Sequence, residues 1–142
     1  MRSKRERNEI TLELDLDVTI HGDVDALQQM FVNLLFNSFQ AIKGSGLIKI
    51  SSAREAPNEL RIVYEDNGPG IPIDQHERIF DPFFTTKQVG EGTGLGLYIV
   101  ASIVEEHSGT IRIEKTDIGA RFVITLPIHP KEALNDLKAD DR

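Results

Sequence analysis

Hydrophobic and polar residues alternate along several short stretches of the chain, and a period of two is typical of β-strands with one buried face. The clearest stretch is ITLELDL, and the VTI that follows it could add a short second strand. Two later stretches are joined by Pro57-Asn58, which suits a hairpin turn. The pattern predicts strands at 10–16, 18–20, 46–54, 59–66, 110–115 and 119–127.

Two other stretches repeat their apolar residues every three or four positions, as a helix buried along one side does. Asp23 suits an N-cap and Gly44 a C-terminal stop, so the first helix is expected over residues 24–43. The second helix is expected over residues 94–107. The segment 67–93 before it is rich in Gly, Pro and Thr, and so long a loop in a compact domain is either functional or disordered.

The order of these elements predicts the fold class. Long helices interleaved with hairpin strands indicate an α/β fold, a two-layer sandwich with helices covering one face of a mixed sheet. A chain of 142 residues with 39% apolar content suits a single core. We expect a linker over residues 1–9, one domain over residues 10–128 and a charged tail over residues 129–142.

Composition and charge exclude several classes of function. The absence of cysteine rules out disulfides, thiolate zinc sites and cysteine nucleophiles, and it suits a reducing compartment. A net charge of −7 offers no basic surface for nucleic acid. No apolar run approaches the roughly 18 residues of a membrane span, and the start of the chain lacks a signal-peptide core. We expect a cytoplasmic domain without a nucleic-acid or membrane partner.

Two asparagines interrupt the first predicted helix. Its apolar face includes Leu34 and Ser38, and Asn33 and Asn37 lie beside that face, roughly 40° apart. Asparagine is a mediocre helix former, so the pair needs a reason. Either both side chains lie at the solvent boundary, or their amide oxygens suit a hard cation such as Mg²⁺ held mainly by phosphates and water.

The stretch YEDNGPGIP combines an acidic strand end with glycines. An Asn-Gly pair alone indicates a turn. However, Asp66 ends an apolar strand, and a buried carboxylate only accepts hydrogen bonds and therefore needs donors. An adenine amino group is one such donor, and Gly68 and Gly70 would let the backbone lie flat against a planar base.

The run GEGTGLGLYIV, residues 90–100, places glycines directly before the second helix. A flexible loop is one interpretation, and a phosphate site at a helix N-terminus is the other. No Lys-Ser/Thr pair follows Gly94 and Gly96, which excludes a Walker loop. The glycine offsets do not match a dinucleotide fingerprint either. A phosphate loop at this position would therefore be neither a Walker loop nor a dinucleotide fingerprint, but a third architecture.

Four motifs in this order resemble those of one family, the ATP-binding catalytic domain of sensor histidine kinases. That family belongs to the superfamily of gyrase-type topoisomerases, heat-shock chaperone ATPases and mismatch-repair ATPases. LQQMFVNLLFNSFQAI is similar to its asparagine box, DNGPGIP and GTGLGL to its two glycine boxes, and IFDPFFTTK to its phenylalanine box. The resemblance covers residues 10–127 and implies a Bergerat α/β sandwich with a mostly antiparallel sheet. It also implies ATP bound between the two helices under a mobile lid.

The resemblance assigns a role to each motif residue. It implies that Asn37 is the Mg²⁺ ligand, that Asn33 faces the phosphates and that Asp66 accepts from the adenine amino group. Phe80 would anchor the lid with Phe83 and Phe84, although plain core packing explains Phe80 equally well. The remaining implied contacts are a base pocket shaped by Gly68, Gly70 and Ile71, and a phosphate loop formed by Gly92, Thr93, Gly94, Leu95, Gly96 and Leu97.

The chain departs from the commonest family pattern at two positions. Many members carry a lysine where this chain has Gln40, but here the lid supplies Lys87, a combination similar to nitrogen-regulation sensor kinases. Lys87 is expected to contact the terminal phosphate. A hydroxyl residue often follows the late glycine, whereas Ala120 follows Gly119 here.

Position 33 separates the function classes within the superfamily. ATP hydrolases usually carry a glutamate there as general base, and the amide of Asn33 cannot accept a proton from water at neutral pH. We therefore expect phosphoryl transfer, with Asn33 and Lys87 as the catalytic residues. The alternatives are an ATP-hydrolysing conformational module and a module that senses nucleotide without chemistry.

The four histidines lack the His-Glu-x-x-x-Pro context of a phosphoacceptor, and His107 at a helix end suits a structural role. The resemblance therefore implies a partner, the dimerisation and histidine phosphotransfer domain of the same kinase. A response regulator receiver domain would act downstream. The isolated domain is expected to be a monomer with ATP and Mg²⁺ as its cofactors.

Overall fold

The computed structural model describes residues 8–15, 17–85 and 94–128. These residues form five strands and two α-helices, with a short 3-10 helix at Ile73–Gln75. In chain order the elements are β1 (Glu9–Glu13), α1 (Val24–Ala41), β2 (Leu47–Ala56), β3 (Glu59–Asp66), α2 (Gly96–Glu106), β4 (Thr110–Glu114) and β5 (Arg121–Pro127).

The five strands form one sheet in the order β1-β2-β3-β5-β4. β1 runs parallel to β2, and every other neighbouring pair is antiparallel. The predicted hairpin joins β2 to β3, with the backbone N–H of Ile128 donating to the Asn58 carbonyl (2.7 Å) beside its turn. The mixed, mostly antiparallel sheet predicted from the sequence is confirmed.

Both helices lie on one face of the sheet, as predicted, and the core forms between the two layers. Along β3 every second residue is buried, and in the register with β5 Tyr64 lies opposite Phe122. The helices contribute Met30 and Leu34 from α1 and Val100 from α2, all three fully buried. Burying each such side chain stabilises the fold by roughly 1.5–3 kcal/mol.

The other face of the sheet carries charged side chains. Glu114 on β4 pairs with Arg112 at 3.1 Å and lies 3.9 Å from Arg61, while Arg121 pairs with Glu65 at 2.6 Å. Val123 nevertheless is fully buried on this face, because long side chains cover apolar surface with their stems. Exposed ion pairs of this kind contribute little to stability.

The structure differs from the sequence-based prediction at the element ends. Residues 18–20 form no strand; Val18 and Ile20 pack against the core without pairing in the sheet. β1 is an edge strand, so Leu12 remains 59% exposed although its alternation predicted a half-buried strand. α1 ends at Ala41, two residues before the predicted end, because Ile42 is already extended.

His107 connects the two helices. Its Nε2 accepts from the backbone N–H of Asp23 (3.0 Å), and its Nδ1 lies 2.7 Å from the Ile103 carbonyl. The Asp23 side chain in turn accepts from the Ala26 N–H and caps α1. Because Nε2 accepts, the proton lies on Nδ1, which donates to the carbonyl. These contacts give His107 the structural role expected from the sequence.

Candidate functional site

The carboxylate of Asp66 lies at the end of β3 beneath α1, and Asp66 is only 8% exposed. Its Oδ1 accepts from the backbone N–H groups of Gly68 (3.0 Å) and Ala120 (3.1 Å). Its Oδ2 accepts from the Ser38 hydroxyl at 2.7 Å. Because a buried carboxylate needs donors, these contacts explain how β3 can end in an acidic residue.

The Ser38 hydroxyl also contacts a buried phenol. Its Oγ lies 2.8 Å from the Tyr64 hydroxyl, which also donates to the Leu34 carbonyl at 3.0 Å. Burial raises the pKa of Tyr64 to about 12; the Asp66 charge acts in the same direction, and the Ser38 hydrogen bond opposes it. The phenol is therefore protonated at neutral pH and available as a donor.

Two glycine-containing loops meet beside Asp66. Gly70 and Gly119 have left-handed backbones, with φ of +77° and +68°. A Cβ at Gly70 would lie 2.7 Å from the Gly119 carbonyl oxygen, and one at Gly119 would overlap the backbone of Asp66. A Cβ at Gly68 would lie 3.3 Å from Asp66 Oδ1. Gly68 therefore lies against the carboxylate, whereas Gly70 lies against the Gly119 backbone, and at both positions a side chain would meet neighbouring protein atoms.

One residue of the asparagine pair on α1, Asn33, contacts the start of α2. Both Asn33 and Asn37 are half-buried. Asn33 Oδ1 accepts from Gln29 Nε2 at 2.7 Å, and its Nδ2 lies 3.5 Å from the Gly96 carbonyl oxygen. Within the described residues, no side chain caps the first turn of α2. The amide of Asn33 and the positive end of the α2 helix dipole are thus close together.

Residues 86–93 lie outside the described part of the chain, and Phe83 and Gly94 on either side of them are joined by a hydrogen bond. Gly94 has a φ of +72°, its carbonyl accepts from the Phe83 N–H at 2.8 Å, and a Cβ there would overlap the Phe83 backbone. Leu95 directly precedes α2, and Leu97 in its first turn packs against the core. The described part of the predicted phosphate loop therefore lies at the N-terminus of α2.

The three phenylalanines of the phenylalanine box have different environments. Phe80 packs against Phe122 with ring centroids 6.2 Å apart, so its contact is with the core. The Arg78 guanidinium lies 4.7 Å above the ring of Phe84, and Phe83 is 73% exposed. Of these, Phe80 and Phe84 pack against the core, as does the predicted pocket residue Ile71.

Three of the predicted site residues, Lys87, Gly92 and Thr93, lie outside the described part of the chain. Among residues that are described, no group of three or more histidine or acidic side chains could hold a metal ion by itself. Neither described helix combines the length and the apolar composition that crossing a membrane would require. The site as described thus consists of Asp66 with its donors, the asparagine pair and the start of α2.

Comparison with known proteins identifies the family to which this chain belongs. The family model described as histidine kinase-, DNA gyrase B-, and HSP90-like ATPase matches residues 22–130. Among solved structures, the catalytic domain of histidine kinase ThkA is 36% identical with a TM-score of 0.75, and the match covers 87% of this chain and 82% of that one. The chain belongs to this ATPase family, among the histidine kinase catalytic domains.

Curated relatives of this histidine kinase domain are sensor kinases. Sensor histidine kinase ZraS of Escherichia coli O157:H7 is 46% identical over 111 residues, which are 78% of this chain and 24% of that protein. Sensory histidine kinase/phosphatase NtrB of Rhodobacter capsulatus is 38% identical over 125 residues, 78% of this chain and 34% of that protein. The chain spans about a quarter to a third of the length of these two relatives.

Four residues around the Asp66 carboxylate were missed by the sequence-based prediction of site residues: Ser38, Tyr64, Gly119 and Ala120. A signal was present for Ser38, because it is a polar residue on the apolar face of α1. Tyr64 gave no such signal, since it continues the alternation of β3. Gly119 and Ala120 were noted only as a departure from the family pattern.

We predict that Gly119→Ala destabilises the kinase domain by more than about 2 kcal/mol, because alanine strains a left-handed backbone and its Cβ would overlap Asp66. Gly96→Ala is the matched control, since a Cβ there has no described atom within 4 Å and alanine favours a helix by up to about 1 kcal/mol. Urea unfolding would measure both. Equal midpoints for the two variants would contradict the prediction.

Proposed function

We propose that this domain binds Mg-ATP and donates the γ-phosphate to a histidine on a separate dimerisation and phosphoacceptor domain of the same full-length kinase. A response regulator receiver domain would accept the phosphoryl group next, in two-component signalling. The observation that carries the proposal is the Asp66 carboxylate, which is held by three donors and retains one acceptor position for a base.

Adenine fits the position beside Asp66. Its amino group is a donor that the remaining lone pair of Oδ2 can accept. We assign Gly68 and Gly70 to shaping the pocket, because glycine allows their loop to approach Asp66 and Gly119 closely. Ile71 adds apolar surface beside them. We assign Phe80 to the support of this pocket, because its ring packs on Phe122 in the core.

The triphosphate is assigned to the start of α2. The backbone amides of Gly94, Leu95 and Gly96, together with those of Gly92, Thr93 and Leu97, would bind its oxygens at the positive end of the helix dipole. We assign Mg²⁺ to the amide oxygen of Asn37, with phosphate and water oxygens as its other ligands. The ion would neutralise charge that develops during transfer.

Asn33 favours transfer over hydrolysis. Its amide is held between Gln29 and the Gly96 carbonyl, and an amide cannot serve as a general base for water. Asn33 is therefore assigned to positioning the phosphates. In the transfer step, the imidazole nitrogen of the acceptor histidine forms a bond to the γ-phosphorus while the bond to the bridging oxygen breaks and ADP leaves.

The alternative is an ATP-hydrolysing module whose conformation responds to nucleotide. Rapid steady-state ATP turnover by the isolated domain would favour it, and phosphorylation of an added dimerisation domain on histidine would favour the kinase. We also propose that the isolated domain is a monomer. We propose that it acts in the cytoplasm, and its lack of cysteine supports this location.

We predict that Asp66→Asn lowers ATP affinity about tenfold to a hundredfold, the scale of a mispaired buried hydrogen bond. The amide retains an acceptor for Gly68 and Ala120 but presents a donor to the adenine amino group. Calorimetric titration with ATP would measure the change, with Asp117→Asn in the exposed β4–β5 turn as the matched control. Undiminished ATP affinity in Asp66→Asn would refute the adenine assignment.

We predict that Asn37→Ala weakens nucleotide binding at least about fivefold more in the presence of Mg²⁺ than in EDTA, because it removes a metal ligand. Titration of ATP with and without the metal would show the difference. Asn58→Ala, at the exposed hairpin turn, serves as the control. Equal losses in the two buffers would remove Asn37 from the ligand set.

We predict that Lys87→Ala slows phosphotransfer to a separately added dimerisation domain by about tenfold to a hundredfold, the scale of one charge-assisted contact. ADP binding should change much less, because ADP has no γ-phosphate. Lys115→Ala, at an exposed position directly after β4, is the matched control. Transfer at the wild-type rate, or equal losses of ATP and ADP affinity, would show that Lys87 does not contact the γ-phosphate.

A further inference from the structure

Two hydroxyl groups lie in the otherwise apolar layer between α1 and the sheet. Ser38 and Tyr64 are both fully buried. Their oxygens lie 2.8 Å apart, and the Ser38 hydroxyl reaches Asp66 Oδ2 at 2.7 Å. Two buried hydroxyl groups would destabilise a core unless they were hydrogen-bonded, and here they form a chain that ends on the carboxylate.

The direction of this chain follows from counting hydrogens. Each hydroxyl has one hydrogen, whereas the Asp66 carboxylate and the Leu34 carbonyl can only accept. Ser38 donates its hydrogen to Asp66. Tyr64 therefore shares its single hydrogen between two acceptors, Ser38 Oγ and the Leu34 carbonyl. These lie 2.8 and 3.0 Å from the phenol oxygen.

The same counting limits what Asp66 can bind. A carboxylate has about four acceptor positions, and Gly68, Ala120 and Ser38 occupy three of them. One position remains, on Oδ2. Ala120 brings only its backbone amide to the carboxylate, so the hydroxyl donor comes from the helix side of the site.

We infer that Ser38 is a positioning residue for base recognition and that Tyr64 orients it. Ser38 occupies one lone pair of Oδ2 and fixes the direction of the other, so Asp66 accepts one further donor and repels a carbonyl oxygen. This arrangement selects a 6-aminopurine over a 6-oxopurine. The inference rests on the proposed binding of adenine at Asp66.

A purely structural role for the two hydroxyls makes a different prediction. If they only stabilised the core, their removal would lower the thermal midpoint and weaken every purine nucleotide by the same factor. If they position Asp66, their removal lets water reach both lone pairs of Oδ2. The carboxylate is then held only through Oδ1 and can rotate. The contribution of the 6-amino group to nucleotide affinity then falls.

The test compares three nucleoside diphosphates by calorimetric titration: ADP, purine riboside diphosphate without a 6-substituent, and inosine diphosphate with a 6-oxo group. Wild-type protein should bind ADP about tenfold or more tightly than either analogue, the scale of one hydrogen bond to a charged group. Ser38→Ala should reduce that ratio at least about threefold. Tyr64→Phe should reduce it in the same direction by a smaller factor, and it keeps the packed ring.

Thr125→Val is the matched control for loss of a buried hydroxyl. Thr125 is 9% exposed, and its hydroxyl bonds to Thr110 on β4, five residues along the sheet from the Asp66 position. This variant should lower the thermal midpoint and leave the ratio of affinities unchanged. If Ser38→Ala does not fold, Tyr64→Phe decides the question alone.

A wild-type ratio that persists in both Ser38→Ala and Tyr64→Phe would overturn the positioning role while leaving adenine binding at Asp66 intact. Equal binding of all three nucleotides by the wild type would instead refute the adenine assignment itself. A reduced ratio in the variants, with the control unchanged, supports the inference.

Discussion

A buried carboxylate must be given hydrogen-bond donors, and Asp66 obtains them from three separate segments of the chain. Ser38 comes from α1, Gly68 from the loop after β3, and Ala120 from the loop before β5. These segments can converge only if the loops approach closely, which explains the left-handed glycine at Gly119. The geometry around one charged group thus constrains a helix, two loops and a strand end.

α1 connects the two halves of the site. On its buried face Ser38 contacts Asp66, and on its flank Asn33 contacts the start of α2. Because the helix is rigid, the separation between the proposed base position at Asp66 and the proposed phosphate position at α2 is set by little more than one turn of α1, from Asn33 to Ser38. His107 supports this arrangement by connecting the end of α2 to the cap of α1.

The proposed chemistry follows from the absence of a general base at position 33. An amide at position 33 orients but does not remove a proton, so activation of water has no base in that position. The proposed transfer to a histidine needs only positioning and charge neutralisation from this domain, since we propose that the nucleophile comes from another domain. The proposed division into separate catalytic and acceptor domains agrees with this set of side chains.

The helices and central strands were predictable from the sequence, because alternation and helical periodicity record which side of an element is buried. β3 was predicted over its observed residues, whereas 18–20 failed as a strand because a short extended segment needs a neighbour with which to pair. The motif order also singled out Asp66 and the asparagine pair as candidate site residues. The partners of Asp66, in contrast, became known only from the folded chain. Ser38 lies 28 residues away in the chain and Ala120 lies 54 residues away, and whether such groups meet depends on helix rotation and loop approach, which no local pattern encodes.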